Sequence, residues 1–313
     1  MVKRWLSYDE QVKLLQERGL TVTDAASAAE FLSRVNYYRL SGYFRYWQVD
    51  PMAGNNRFLD GSSFEVIQRL YEAEHDLVAV CDEVLHPIEV LLRTRFAYYY
   101  AQHVGAIGTF ARGDGFTQSP DPNDERVEEH ALSNLDRSKE TFVSHYRDEI
   151  KTGNAYSIEA YARMPVWVAV EAFSFGSLSR LIEASSKSGV LHDMAASMNV
   201  SPTTLPSQVR SFVYLRNRNA HCAKLWNHAV LDRPGLLSNI ARRAKRDHRQ
   251  FSDHSIYKIF VALDQVATKT GLQQDWLANR VEPILATNAL LAAGIATPAR
   301  YGEMQKQLLT ADH

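Results

Sequence analysis

The chain has 313 residues, of which 45% are hydrophobic and 23% charged, with 35 Lys/Arg against 36 Asp/Glu. This is the make-up of an ordinary globular protein whose core needs no disulfide staples. No run of about 18 apolar residues occurs and the first 19 residues lack an apolar signal core, so no membrane contact is predicted, and the cysteines Cys81 and Cys222 have no metal-ligand spacing and read as reduced thiols of a cytoplasmic protein.

Bulk attraction to a polyanion is excluded by a net charge of −1, but the charge is unevenly spread. Residues 201–250 hold ten Lys/Arg against two Asp, a local excess of +8, whereas residues 121–150 hold nine Asp/Glu against four Lys/Arg, a local −5. A local basic field can steer nucleic acid even on a neutral protein, although a solvated helix face would read the same way.

Nearly every long segment has helical periodicity. Tyr8 to Arg18 reads as a short helix stopped by Gly19, and Asp24 as the N-cap of a helix reaching about Asn36. An aromatic-rich stretch, Tyr37 to Phe44, comes next, then a loop from Asp50 to Gly61 with room for a small hairpin. Ser63 to His103 is one long helical region with a kink expected at Pro87. Gly105 to Asp124 reads as a surface loop, Glu125 to Ile150 as acidic helix, and Met164 to Ser185 as a strongly apolar helix around Glu171. One short helix is expected between Ser186 and Pro206, then a helix over Ser207 to Asn227. Arg233 to Arg249 reads as basic and irregular, Ser255 to Thr270 and Gln274 to Ala286 as closing helices, and the residues after Gly294 as a loosely attached tail.

The helix over Ser207 to Asn227 carries the densest chemistry. On a wheel with Val209 at zero, Phe212, Val213, Ala220 and Ala223 fall within about 60° and form an apolar stripe. Tyr214, Asn217, His221 and His228 share a polar face, while Arg216 falls inside the stripe. A buried guanidinium there needs an anionic partner. Glu171, on its apolar helix, is the first candidate for Arg216, with Arg39 as a second cation for the same carboxylate. Two readings stand: a structural ion pair beside an ordinary helix histidine, or a cleft in which Arg216, Asn217 and His221 face a phosphodiester. In the second, His221 moves protons, Arg216 stabilises phosphoryl charge and Asn217 positions the histidine.

Elsewhere, Glu89 and Arg93 are i,i+4 neighbours, either a plain helix salt bridge or a pair whose Glu89 reaches the motif helix. The run holding Tyr38, Arg39 and Tyr43 interleaves aromatics with arginine and reads as a core-edge cluster or a surface that stacks bases. Arg218, Lys224, Arg242, Arg243 and Arg246 are candidates for contacts to an RNA backbone. No zinc spacing, phosphate loop, dinucleotide-binding glycine pattern or nucleophile elbow is present, so no metal or cofactor is predicted.

Arg216-Asn217-x-x-x-His221 resembles the R-x4-6-H signature of HEPN ribonucleases. The wider chain, over about residues 5 to 285, resembles the Abi-like family of bacterial abortive-infection proteins, of the AbiD/AbiF type. That likeness rests on Leu14-Leu15-x-x-Arg18-Gly19-Leu20, Asn36-Tyr37-Tyr38-Arg39-Leu40-Ser41-Gly42-Tyr43, Ile88-Glu89-x-x-Leu92-Arg93-Thr94, and Met164-Pro165-Val166-Trp167 with Glu171 and Ser174-Phe175-Gly176. The resemblance implies an all-α, HEPN-like helical bundle and antiphage defence through RNA cleavage or RNA binding. Because the chain has one such motif, it also implies a homodimer with a composite site, yielding 2′,3′-cyclic phosphate and 5′-hydroxyl ends. The expected organisation is an N-terminal helical and aromatic segment (1–62), a HEPN-like domain (63–290) and a C-terminal tail (291–313). A non-catalytic RNA-binding scaffold and a toxin–antitoxin interaction component are the alternative functions.

Overall fold

The structure, a computed structural model, describes residues 4–121, 123–299 and 303–304. Its helices are α1 (Tyr8–Glu17), α2 (Ala25–Arg34), α3 (Tyr37–Phe44), α4 (Phe64–His103), α5 (Val127–Arg137), α6 (Thr141–Tyr146), α7 (Val166–Ala172), α8 (Phe175–Ala184), α9 (Val190–Ser197), α10 (Leu205–Ala220), α11 (Ser238–Asp247), α12 (Ile256–Thr270), α13 (Glu282–Thr287) and α14 (Ala289–Ala296). Two antiparallel pairs complete it, β1 (Gln48–Asp50) with β2 (Asn55–Phe58) and β3 (Lys151–Thr152) with β4 (Ala155–Tyr156). The protein is therefore all-α, as its periodicity predicts.

The first helices start where their caps dictate. Ser7 and Glu10 form a reciprocal capping box on α1, Asp24 caps α2 as expected, and Asn36 caps α3 through the Tyr38 amide. The aromatic stretch is thus helical. It buries Leu40, Tyr43 and Phe44 while Tyr38 stays 83% exposed.

The spine is α4, about 60 Å long at 1.5 Å per residue. Leu70, Leu77, Val84, Ile88, Leu92 and Phe96 recur along it at helical spacing and are fully buried. The helix continues unbroken through Pro87, the position where a kink is expected. Packed on it are α7, α9, α10 and α12, which wrap one apolar core.

Other expectations shift. The acidic segment forms two short helices, α5 and α6, and then the β3–β4 hairpin turning at Gly153 (φ 65°). The apolar segment breaks into α7 and α8 where the Ser174 hydroxyl caps α8. Residues 238–247 are helical rather than irregular, because Ala244 seats on the core while the arginines point outward. The chain after Gly294 is anchored at least as far as Ala299. Ile295 is buried, Ser252 N donates to Ala296 O, and Ala299 exchanges hydrogen bonds with the Asn227 side chain. A Cβ at Gly294 would overlap the Trp226 indole, so only glycine lets α14 approach so closely. The rest of the expected tail, apart from 303–304, lies outside the described residues.

Candidate active site

The buried face of α10 is part polar. Leu205, Val209, Phe212 and Leu215 share it with Gln208, Ser211 and Asn219. Each polar member has a partner: Gln208 Nε2 donates to Gly235 O (3.0 Å), Ser211 Oγ to Gln208 O (2.7 Å) and Asn219 Nδ2 to Asp82 Oδ1 (3.0 Å). A wheel centred on apolar residues alone is rotated away from this true core face. That corrects the reading of Arg216, whose side chain is 44% exposed rather than inside the stripe. Asn217 and His221 are exposed as well, and Arg216 Nη1 donates to Asn217 Oδ1 at 3.1 Å. Asn217 therefore orients Arg216, and its link to His221 is through its backbone carbonyl, which accepts from His221 N at 3.0 Å.

The helix does not continue to Asn227. His221 is its C-cap, Cys222 adopts the left-handed conformation (φ 48°), Cys222 N bonds Asn219 O (2.9 Å) and Ala223 N bonds Arg218 O (2.8 Å). This paired closure is a Schellman turn. A non-glycine residue there is strained by about 1–2 kcal/mol, and Arg39 Nη1, donating to Cys222 O at 2.6 Å, ties the turn to α3. The turn leaves His221 at the outer end of α10.

Glu89 is the partner of Arg216. Its Oε2 lies 3.7 Å from Arg216 Nε, and its Oε1 is 2.5 Å from Arg93 Nη2. Arg93 in turn donates to Phe173 O (2.9 Å) and to Val170 O, capping α7. Both members of the Glu89–Arg93 pair are nearly buried, at 13% and 11% exposure. The salt bridge and the reach across to the motif helix thus occur together. Glu171 is exposed on α7, one turn beyond the half-exposed Trp167, and has no ion pair with Arg216. Seven residues of α7 leave one outward stripe, and Trp167 and Glu171 occupy it.

Sequence reasoning missed Glu74. This buried carboxylate of α4 accepts from Trp226 N (3.2 Å), from Leu225 N and from the Tyr43 hydroxyl (2.8 Å). Desolvation pushes its pKa up, against those hydrogen bonds and the Lys224 charge. A lone glutamate on an otherwise apolar helical face, beside Leu70, Leu77 and Cys81, was the available signal.

Three of the RNA-contact candidates, Tyr43, Lys224 and Arg218, are buried or half-buried. Tyr43 is 4% exposed and stacks on Trp226 at 6.1 Å, so it offers no face to a base. Lys224 is largely enclosed. Its ammonium lies over the rings of Tyr46 (4.3 Å), Trp226 (5.2 Å) and Tyr43 (5.4 Å) and donates to Gly42 O (3.1 Å), and burial lowers its pKa to about 8. Arg218 is half-buried and donates to Lys224 O. Tyr38 and Arg39 remain exposed next to the turn after His221. Arg242, Arg243 and Arg246 are exposed on α11, with Arg243 and Arg246 both paired to Asp247. The loop entering α11 is pinned by Gly235 to Ser207 and Gln208, at the end of α10 about 20 Å along its axis from the motif. Among the described residues no group of three or more His, Cys, Asp or Glu is placed to hold a metal ion, and no helix is long and apolar enough to cross a membrane.

His228 stacks on Tyr214 (5.9 Å) and bonds its hydroxyl. Burial, reinforced by Arg218 and Lys224, lowers its pKa to about 4. The unfolded histidine, with a pKa near 6.5, takes up a proton that the folded one refuses. Its stabilising contribution is complete above about pH 6.5 and is lost as pH falls towards about 4. Thermal unfolding at pH 7 and pH 5 should show an acid loss that shrinks in His228→Gln; equal losses in both proteins would rule this out.

These features define an all-α protein with an Arg, an Asn and a His exposed together at the end of one helix. A family model described as Abi-like protein matches residues 30–227, more than half of the chain, and the protein belongs to that family. The matched region starts within α2 and ends just after Trp226, so it contains Glu74, Glu89, Arg93 and the whole motif. Comparison with curated proteins and with solved structures found no match.

Proposed function

We propose that this protein is an antiphage abortive-infection effector that cleaves RNA as a metal-independent HEPN-type endoribonuclease. The carrying observation is the joint exposure of Arg216, Asn217 and His221 at one end of α10, inside the region matched by the Abi-like family. In the reaction, the ribose 2′-oxygen bonds to phosphorus while the P–O5′ bond breaks. The 2′ proton leaves to a base and the 5′-oxygen receives one, giving 2′,3′-cyclic phosphate and 5′-hydroxyl ends. His221 is suited to proton transfer and Arg216 to the charge on the phosphoryl oxygens. Asn217, hydrogen-bonded to Arg216, fixes the guanidinium. One histidine cannot serve as base and acid at once, which favours a homodimer whose two motifs share a strand.

The test incubates purified protein with mixed RNA in EDTA and maps the ends. Wild type should produce cyclic-phosphate ends, at a rate per chain that rises with protein concentration. His221→Ala should be slower by about 10²–10⁴-fold. Equal cleavage by both proteins would reject the catalytic assignment. Intact RNA that copurifies with an inactive wild type would favour a binding scaffold.

A further inference from the structure

A cavity of about 650 Å³ opens between α3, α4 and the turn that follows His221. Its size lies within the roughly 300–1,000 Å³ of small-ligand sites. Tyr38, 83% exposed, gives it a flat aromatic wall, and the exposed Arg39 and Arg45 give it cations, while the Lys224 ammonium in its wall is held by Gly42 O and the Tyr46 ring. The one carboxylate among the lining residues, Glu74, is engaged by two backbone amides and the Tyr43 hydroxyl. Cations beside an exposed aromatic face suit a flat ring that carries a phosphate.

We infer that this cavity binds one unpaired nucleotide, with its base against Tyr38 and its phosphate at Arg39, beside Arg45. Cys222 and Ala223, in the cavity wall, directly follow His221. A strand with one nucleotide seated here therefore runs past the exposed Arg216–His221 end of α10. The site deepens the RNA reading and rests on it only for a strand-borne nucleotide, because a free mononucleotide has the same chemistry.

The test uses the full-length wild-type chain with three probes: 5′-AMP, adenosine, and a ten-nucleotide RNA bearing 2′-O-methyl groups, which cannot be cleaved by 2′-oxygen attack. Calorimetric titration should show saturable 5′-AMP binding, weaker adenosine binding, and displacement of the oligonucleotide by 5′-AMP. Tyr38→Ala and Arg39→Ala lie on exposed α3 positions and should each weaken 5′-AMP and oligonucleotide binding about tenfold, the loss typical of one stacking or phosphate contact, with melting unchanged in Tyr38→Ala and lowered by no more than about a few degrees in Arg39→Ala, which also loses its bond to Cys222 O. An effect confined to the oligonucleotide identifies a splayed nucleotide of a strand as the ligand; one confined to 5′-AMP identifies a free nucleotide. Binding of both probes that is indifferent to both substitutions, or no binding of either at millimolar concentration, overturns the inference. If 5′-AMP binding depends on Tyr38 and Arg39 while wild type never cleaves RNA, the pocket stands and the ribonuclease reading falls.

Discussion

Glu74→Ala should cost about 3–5 kcal/mol of stability, the loss expected when a buried hydrogen-bonded carboxylate is removed from its partners. The substitution strands the amides of Leu225 and Trp226 and the Tyr43 hydroxyl inside the protein, and it strips Lys224 of its nearest negative charge. Trp226 depends on that anchorage, since its indole also donates to Leu290 O and stacks on Trp47 at 5.8 Å. The melting temperature should fall by on the order of 10 °C. Glu74→Gln, which keeps one acceptor and the volume, should fall between the two. Hydrogen exchange at Leu225 and Trp226 separates this from general loosening, since those amides should lose protection first. Unchanged melting and unchanged exchange would show that Glu74 does not hold the segment.

Arg216→Ala should lower RNA cleavage by about 10²–10³-fold, the usual penalty for losing one donor to a developing oxyanion. Arg216→Lys should restore little of it, because an ammonium cannot reproduce the fork that Asn217 and Glu89 align. Half of the Arg216 side chain faces solvent, so both variants should melt within a few degrees of wild type. Glu89 is a positioning residue, and its substitution should split the kinetic constants. Glu89→Gln removes a negative charge 3.7 Å from the guanidinium, so RNA should bind more tightly and KM should fall. The guanidinium is also held less firmly, so kcat should fall as well. A variant that changes stability alone, with kcat and KM unmoved, would reduce Glu89 to a structural partner of Arg93.

Sequence patterns reveal the helices well because apolar spacing and caps are local. Asp24 starts α2 as read, and the stripe from Leu70 to Phe96 marks α4 along its whole length. The candidate site is legible as a set of residue types, but its geometry is not. The orientation of α10 depends on Gln208, Ser211 and Asn219, polar residues that are buried because distant carbonyl and carboxylate groups meet them. Glu171 looked buried because its neighbours in sequence are apolar, yet a helix of two turns still has an outer face. The end of α10 at His221 is concealed because Cys222, rather than glycine, takes the left-handed position. Glu74 escaped notice for a related reason: its partners are main-chain amides 151 and 152 residues away, which no side-chain motif records.

Glu74, Asp82 and Glu89 follow one another along α4 at intervals of eight and seven residues, and each touches a successive part of the motif region running the other way: Leu225 and Trp226, then Asn219, then Arg216. Roughly two helical turns separate neighbours in that series, so α4 serves as a ruler whose three marks fall within about 80° of one another. One residue inserted between the outer marks would swing one of them by about 100° relative to the other and put nucleotide pocket and Arg216 out of phase. Seven inserted residues would restore the phase but part the two by about 10 Å, more than the spacing between adjacent phosphates of a strand. Length and phase in this one helix therefore set how the pocket and Arg216 meet.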